Sequence, residues 1–440
     1  MNELAGIFDS APLSDFVYFQ EGPGIRNHQN TEQGIRFLNI RCLVGGRLDT
    51  ESMKCVSEEE ALGKYKHFLL DAGDFIVSSS GTLGRVAEVF PEDLPVMLNT
   101  STIRFRPLND SKLDRKFLKY FLESDIFQSQ VKELATGSVQ LNYGPSHLQQ
   151  VSMPVVPIDV QRRMVEIMDP IDEKIRINKQ LSKTLEEIAQ TIFKSWFIDF
   201  DPVKAKMAGE KPVGMDAATA ALFPDSMEDS ELGLIPKGWV AGQMGDIFSL
   251  QGGFAFKSTS WVEGGVPVIK IGSVKPGFVD LKQVSYITEQ LASTIPSDYE
   301  LEPGSMVIGL TGYVGEVGLV RTHRPFPLVN QRVAKFKRND APWSIPFAYC
   351  LTRRPEFKIR VEETATGTAQ QNVSNSQILK ISTVVPPKTL IEHFESIFYG
   401  TFAKVIALAD ENIILEEIRD CLLPRLISGE LQIPEEMLTS

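Results

Sequence analysis

Two long stretches of the chain carry apolar residues three or four positions apart, the spacing that places side chains on one face of a helix. They occupy residues 158–200 and 388–430, and start close to Asp159 and Thr389, residue types that favour helix N-caps. A helix of about 40 residues extends about 60 Å, and its single apolar stripe requires a partner. We therefore expect the two helices to pack as an antiparallel coiled coil, with Ile188 among the seam residues of the first helix. Asn178 interrupts the first stripe, either as a buried amide that fixes the register or as a solvated residue.

The chain also repeats itself. Position 34 aligns with position 265, a shift of 231 residues, and one residue is lost further along, so that the shift becomes 230. Long internal repeats indicate that one structural unit occurs twice. We predict a mixed α/β (α+β) fold with a pseudo-two-fold repeat, in which a β-rich domain precedes each helix. The matching segments are Gly34–Asp49 with Gly265–Asp280, Leu70–Val89 with Leu301–Val320, and Ala135–Asn142 with Ala365–Asn372.

The repeat and the helices divide the chain into six segments. A stretch rich in Pro, Ala, Gly and Met lies between the two halves and is predicted to be a linker. The predicted segments are residues 1–157 (first β-rich domain), 158–200 (central helix), 201–235 (linker), 236–387 (second β-rich domain), 388–430 (C-terminal helix) and 431–440 (tail).

The chain is acidic overall, but its two halves differ in charge. The 440 residues contain 45 Lys and Arg against 57 Asp and Glu, and this net charge of −12 counts against strong binding to DNA phosphates. Residues 1–157 contain 15 Lys and Arg against 20 Asp and Glu, whereas residues 236–388 contain 17 against 12. Any surface that contacts nucleic acid must therefore be local, and we expect the isolated chain to bind DNA weakly.

Several classes of protein are disfavoured. The sequence has no secretory signal pattern and no apolar run of about 18 residues, so we expect a cytoplasmic protein without a membrane span. Cys42, Cys55, Cys350 and Cys421 lack metal-binding spacing, and we expect no metal site. The sequence contains no phosphate-binding loop, His-Glu-x-x-His motif or Asn/Asp-Pro-Pro-aromatic motif, so we assign no catalytic residue.

Five short motifs, in this order and spacing, resemble the signatures of type I restriction-modification specificity subunits. The resemblance covers essentially the whole chain, and the helical segments carry its most specific motifs. The motifs are Lys194–Val203 (KSWFIDFDPV), Phe223–Asp225 (FPD), Gly233–Trp239 (GLIPKGW), Gly253–Lys257 (GFAFK) and Leu422–Leu431 (LLPRLISGEL).

The resemblance implies a non-catalytic subunit with two target-recognition domains. Each domain would recognise one half of a bipartite asymmetric DNA site, and the helices would set the spacer between the halves. The resemblance also implies two modification subunits, which methylate adenine N6 with S-adenosylmethionine, and restriction subunits, which use ATP and Mg²⁺. No cofactor is expected on this chain. The rival interpretations are a helical interaction scaffold that does not contact DNA, which the acidic charge favours, and a free-standing methyltransferase or nuclease.

Three loops in each domain have the chemistry of DNA recognition, because Asn and Gln suit adenine while Arg and Lys suit guanine. Residues that recur in both halves could instead hold the loops or contact phosphates. The unmatched residues are stronger candidates for base recognition, although a plain solvated strand face competes for Arg104 and Lys335. The candidates are Ser78, Ser80, Thr82, Arg104, Gln140, Asn142 and Tyr143 in the first domain, and Thr311, Tyr313, Gln331, Arg332, Lys335, Gln370 and Asn372 in the second.

Apolar residues at the helix ends are candidates for a subunit interface. Packing within the chain is the alternative, and the resemblance implies that the helical regions bind modification subunits. The candidate interface residues are Trp196, Phe197, Phe200, Leu422 and Leu426.

Overall fold

The computed structural model describes residues 8–136, 141–338, 346–367 and 371–431. The chain forms two compact units. The first contains the described residues up to Lys174 and those from Leu415 onwards, and the second contains Ile175–Ile414. Both units combine sheets with helices. The predicted mixed α/β class is confirmed.

The first unit is built on a four-stranded antiparallel sheet in the order β2-β10-β7-β8. Smaller sheets are formed by β6-β3-β9, β1-β11 and β4-β5. Its strands are β1 (Ser10–Pro12), β2 (Val17–Glu21), β3 (Ile35–Phe37), β4 (Leu43–Val44), β5 (Arg47–Leu48), β6 (Lys54–Val56), β7 (Phe75–Ser78), β8 (Val86–Glu88), β9 (Val96–Met97), β10 (Thr102–Pro107) and β11 (Ser152–Pro154). Its helices are α1 (Glu58–Leu62), α2 (Arg115–Glu123), α3 (Asp125–Leu134), α4 (Pro145–Leu148) and the first part of α5 (Ile158–Phe197).

Helices α2 and α3 cover one face of this sheet. The Asp114 side chain caps α2 by accepting from the Lys116 and Phe117 backbone amides, which would otherwise lack partners at a helix start. Phe105, in the central strand β10, packs edge-on against Phe127 of α3 with ring centroids 5.9 Å apart. The opposite face of the sheet is covered as well, so that β10 is buried on both sides.

The second unit repeats this design with a five-stranded sheet in the order β15-β22-β19-β20-β17. Its other sheets are β18-β16-β21, β14-β23 and the hairpin β12-β13. Its strands are β12 (Met227–Ser230), β13 (Gly233–Pro236), β14 (Val240–Gln243), β15 (Phe248–Gly252), β16 (Val266–Ile269), β17 (Gly277–Phe278), β18 (Ser285–Ile287), β19 (Met306–Gly309), β20 (Val317–Leu319), β21 (Leu328–Val329), β22 (Val333–Arg338) and β23 (Ser382–Val385). Its helices are α6 (Asp201–Met207), α7 (Ala217–Ala221), α8 (Glu289–Ala292), α9 (Pro346–Thr352), α10 (Pro355–Thr364), α11 (Asn375–Leu379) and α12 (Lys388–Ile427), which like α5 contributes residues to both units.

The strand bounds follow the shift found in the sequence. β7 and β19 differ by 231 positions at both ends, as do β2 and β15, and β10 and β22. After the predicted loss of one residue, α5 and α12 differ by 230 positions at both ends, and each contains 40 residues. The repeat in the sequence is therefore a repeat of secondary structure.

The long helices pair in opposite directions. In the first unit Met168, in the first half of α5, shares a core with Leu426, near the end of α12. In the second unit Phe193, near the end of α5, shares a core with Phe394, near the start of α12, and their ring centroids lie 5.7 Å apart. The antiparallel arrangement is confirmed.

Asn178 lies in the seam between the two helices and is 1% exposed. Its side-chain amide donates hydrogen bonds to Glu411 Oε2 at 2.9 Å and to Asn412 Oδ1 at 3.1 Å. Asn412 is also buried. Of the two predicted alternatives for Asn178, the buried amide is therefore the one found.

Three details of the prediction were wrong. Asp159 and Thr389 lie inside the first helical turns, because α5 and α12 begin one residue earlier. Ile188, predicted to lie in the seam, is 47% exposed. Residues 201–235 are more than a linker, since they form α6, α7 and the β12-β13 hairpin, and Phe223 among them is buried in the core of the second unit.

Candidate nucleic-acid interface

The described parts of the three loops predicted in the first domain lie together. The Ser79 amide donates to the Ser101 carbonyl at 2.9 Å, and the Tyr143 amide donates to the Ser79 carbonyl at 3.0 Å. Ser80 forms a β-bridge with Asn142. Backbone hydrogen bonds therefore fix one cluster, which we call the first loop cluster, made of residues 78–85, 99–102 and 141–144.

Ser78 and Tyr143 are buried and hold the first loop cluster from inside. The Ser78 hydroxyl donates to the Thr82 carbonyl at 2.6 Å and accepts from the Arg85 amide at 2.9 Å. The Tyr143 hydroxyl donates to the Ser78 carbonyl at 3.1 Å, and burial raises the pKa of Tyr143. The structure presents neither of these two predicted DNA-contacting side chains at the surface, because both are buried.

Arg104 is only 5% exposed, so neither base recognition nor a solvated strand face describes it. Its guanidinium lies 3.5 Å from the buried Asp74 carboxylate and donates to the Leu69 carbonyl at 2.9 Å and to Gln20. The neighbouring Arg106 also pairs with Asp74, at 2.7 Å. Arg104 is therefore part of a buried ion-pair network beneath the sheet.

The remaining candidates of the first domain differ in exposure. The side chains of Thr82 and Asn142 are exposed, whereas Ser80 is almost buried. Gln140 lies outside the described residues. Thr82 and Asn142 are therefore the predicted residues that this cluster presents to a ligand.

A fourth loop, which the sequence analysis did not assign, packs against each cluster. In the first domain a side chain at Gly22 would overlap the Asn99 backbone, and the Ile25 amide donates to Asn99 Oδ1 at 3.1 Å. In the second domain a side chain at Gly253 would likewise overlap the backbone of Asn330. Glycine is required for this close approach, and the recurring asparagines maintain loop structure. The motif Gly253–Lys257 was the signal that could have revealed this loop.

The second domain forms a corresponding second loop cluster. The Leu310 amide donates to the Arg332 carbonyl at 3.0 Å, and the Gly312 amide donates to the Gln371 carbonyl at 2.8 Å. Thr311 forms a β-bridge with Asn372, as Ser80 does with Asn142. The cluster consists of residues 309–315, 330–332 and 371–373.

The second loop cluster presents a different set of side chains. Tyr313 is 65% exposed at the tip of its loop, and Lys275, which the sequence analysis missed, places its ammonium 6.0 Å from the Tyr313 ring centroid. Lys335 is half-buried and donates to the Glu300 carbonyl at 2.7 Å, while burial lowers the pKa of its ammonium. Gln331, Arg332 and Asn372 are exposed, Thr311 is almost buried, and Gln370 lies outside the described residues.

The predicted interface residues pack mainly within their own units. Trp196 and Phe197 are buried in the second core, and Leu426 is buried in the first. Phe200 and Leu422 are half-buried, and Phe200 packs edge-on against Trp239 with centroids 5.5 Å apart. Intramolecular packing, the alternative considered above, is therefore what the structure supports for Trp196, Phe197 and Leu426.

A different part of α5 exposes apolar side chains. Ile177, Leu181 and Ile188 are exposed within the second unit, and their spacing of four and seven residues places them on one face of the helix. We call this face the α5 stripe.

No group of three His, Cys, Asp or Glu side chains in the part of the chain that the structure describes could hold a metal ion. No described helix combines the length and the apolar character needed to cross a membrane.

Each unit thus contains a β-rich domain with a loop cluster, together with part of the long helix pair. This arrangement is typical of a tandem-repeat recognition protein. Residues 13–187 and 236–392 match the family described as type I restriction modification DNA specificity domain. These matches span more than half of the chain, which therefore belongs to that family.

Relatives and a solved structure agree with this assignment. The chain is 29% identical over 325 residues to the type I restriction enzyme HindI specificity subunit of Haemophilus influenzae, covering 64% of this chain and 69% of that one. It is 23% identical over 396 residues to the MjaIX specificity subunit of Methanocaldococcus jannaschii, covering 85% and 86%. The fold resembles the crystal structure of the type I restriction-modification S subunit from M. genitalium, with a TM-score of 0.53, 16% identity and 97% coverage of both chains.

Proposed function

We propose that the chain is the DNA-specificity subunit of a type I restriction-modification complex, and that each loop cluster recognises one half of a bipartite asymmetric DNA sequence. The main observation in support is that the two clusters have the same backbone arrangement but expose different side chains. Thr82 and Tyr313 occupy the same repeat position, and both are exposed. A shared frame with different exposed groups suits the recognition of two different half-sites, because base identity is read by side chains at the groove edge.

The charge distribution supports a role for partner proteins in DNA binding. The described loop clusters hold few cations, and residues 1–157 carry more acidic than basic side chains. Phosphate contacts by Lys and Arg supply most of the sequence-independent affinity for DNA. The modification subunits would therefore contribute much of that positive surface, while this chain selects the sequence.

The α5 stripe is a suitable contact for a modification subunit. Exposed apolar side chains on one helix face favour a second helix that covers them. The substitution Leu181→Glu places a charge in this stripe and should abolish co-purification with the modification subunit. Gln180→Glu introduces the same charge on an exposed position off the stripe, and should leave co-purification unchanged. Equal recovery with both variants would rule out the stripe as the contact.

The chemistry would then belong to the partners. Two modification subunits would methylate adenine N6 with S-adenosylmethionine, and the target base would be flipped out of the duplex into a partner's pocket. Restriction subunits would use ATP and Mg²⁺, and this chain would bind none of these cofactors. The complex would act on DNA in the cytoplasm.

The test is a base-resolved map of N6-methyladenine in a host that carries the chain and its modification partner. We expect methylation of one bipartite motif to vanish when the gene for this chain is deleted and to return on complementation. An unchanged map, with the partner still expressed, would overturn the proposal. The remaining interpretation would then be an interaction scaffold that does not contact DNA, which the net charge of −12 favours.

A further inference from the structure

Glu21 is a charged residue in the first domain that none of the preceding roles explains. It is the last residue of β2 and pairs with Ile103 of β10, on the face of the sheet that packs on the core. Its carboxylate lies at the edge of that core against Gly144, since a Cβ built on Gly144 would be 3.4 Å from Glu21 Oε2. Glu21 therefore lies beside the part of the first loop cluster that contains Asn142.

The neighbouring loops hold Glu21 in place. The Gly22 amide donates to the Thr102 carbonyl at 3.2 Å, and Gly22 itself lies against the Asn99 backbone. The residue is half-buried, so part of its side chain remains accessible to a ligand. A ligand at the first loop cluster would meet Glu21 at a backbone position that these contacts hold.

The Glu21 carboxylate has no hydrogen-bond or ion-pair partner in the part of the chain that the structure describes. Burial alone raises its pKa. A half-buried carboxylate without a donor costs free energy, which a ligand that supplies a donor would recover. Glu21 is thus suited to a ligand that carries a hydrogen-bond donor.

The repeat shows that Glu21 is specific to one domain. The equivalent residue of β15 is Gly252, which pairs with Ala334 as Glu21 pairs with Ile103. Asn99 and Asn330, by contrast, recur in both domains and hold loop backbone. Glu21 thus differs between the domains, and it lies at the edge of a loop arrangement that both domains share. We expect this of a residue that distinguishes two half-sites.

We propose that Glu21 is a specificity-determining residue that accepts a hydrogen bond from the N4 amino group of a cytosine in the half-site bound by the first domain. This inference rests on the proposed function. DNA phosphates repel a carboxylate, so a base amino group must compensate for that repulsion. Cytosine presents only the N4 donor in the major groove, whereas guanine and thymine present acceptors, and adenine presents its N6 donor beside the N7 acceptor, which repels a carboxylate. Cytosine is therefore the base that Glu21 should favour.

The test uses the full chain with its modification subunits on duplex libraries in which each half-site position is randomised. Glu21→Gln introduces an amide that can pair with adenine N6 and N7, so adenine should become acceptable at one position that was cytosine. Glu21→Ala should reduce the preference for cytosine there by about ten- to a hundred-fold. It should also raise binding to unrelated DNA, because a repulsive charge is lost. The second half-site should be unchanged.

Glu59→Gln is the matched control, since Glu59 is exposed on α1 and the substitution removes the same charge. If Glu21→Ala fails to fold, the nearly isosteric Glu21→Gln decides the question. Unchanged base preferences in a folded Glu21→Gln complex would overturn the inference, as would a first half-site that contains no cytosine. If the wild-type complex selects no bipartite motif at all, the proposed function fails instead, so the two failures are distinguishable.

Discussion

The buried amide of Asn178 allows a quantitative prediction for the helix pair. Asn178→Leu removes the hydrogen bonds to Glu411 and Asn412 and leaves the buried Asn412 oxygen without its donor. A buried polar group without a partner costs about 1–3 kcal/mol, so we expect the free energy of unfolding to fall by about 2 kcal/mol. Adding Asn412→Leu replaces both amides with apolar groups, which is nearly neutral or stabilising in such cases. The double variant should therefore recover most of the loss.

The sequence provides a local probe for this measurement. All four tryptophans fall within Ile175–Ile414, the unit that contains the amide pair, so denaturant unfolding followed by tryptophan fluorescence reports on that unit. Gln180→Leu, on an exposed position of α5, is the control and should change stability by less than about 0.5 kcal/mol. The reasoning is refuted if Asn178→Leu leaves the unfolding midpoint unchanged, or if the double variant is less stable than the single one.

Two further predictions concern buried charges in the first unit. Asp74→Ala leaves the Arg104 guanidinium buried without its counter-charge and should destabilise the unit by about 3–5 kcal/mol. Chemical denaturation followed by near-ultraviolet circular dichroism measures this loss, and wild-type stability would contradict the prediction. Burial raises the pKa of Glu123 from its ordinary value of 4.5, against the opposing attraction of Lys119. The folded state therefore binds this proton more tightly than the unfolded state, and stability falls as pH rises from about 4.5 through the raised pKa. Glu123→Gln should lose that part of the pH dependence and be more stable at neutral pH, and a thermal unfolding series against pH would show whether it is.

The sequence predicted the long helices well because their signal is local. Apolar residues three and four positions apart occur throughout α5 and α12, and they depend on no distant contact. The repeat predicted a β-rich domain before each helix, since two copies of one pattern fold alike, but it did not predict which strands pair. Ile188 was misplaced because the apolar positions of α5 are more numerous than one seam can bury, and periodicity alone does not say which flank is covered.

The candidate site was predicted at the level of loops but not of side chains. Arg104 alternates with Ile103 and Phe105, as in a half-exposed strand, yet β10 is covered on both faces, and Asp74, 30 residues away, holds the arginine inside. Such a pairing is set by tertiary structure and leaves no local signal. Glu21 was missed for a related reason, because a single glutamate in an acidic domain attracts no notice until the described structure shows its carboxylate without a hydrogen-bond partner.

The most direct test of the central claim, that each loop cluster recognises its own half-site, is a methylation map with variants confined to one domain. One complex would carry Thr82→Ala with Asn142→Ala, and the other Tyr313→Ala with Arg332→Ala. We predict that each pair relaxes base preference in one half of the bipartite motif, a different half for each pair, while the other half and the spacer stay unchanged. If either pair altered both halves equally, or if neither altered the motif, the claim would be contradicted.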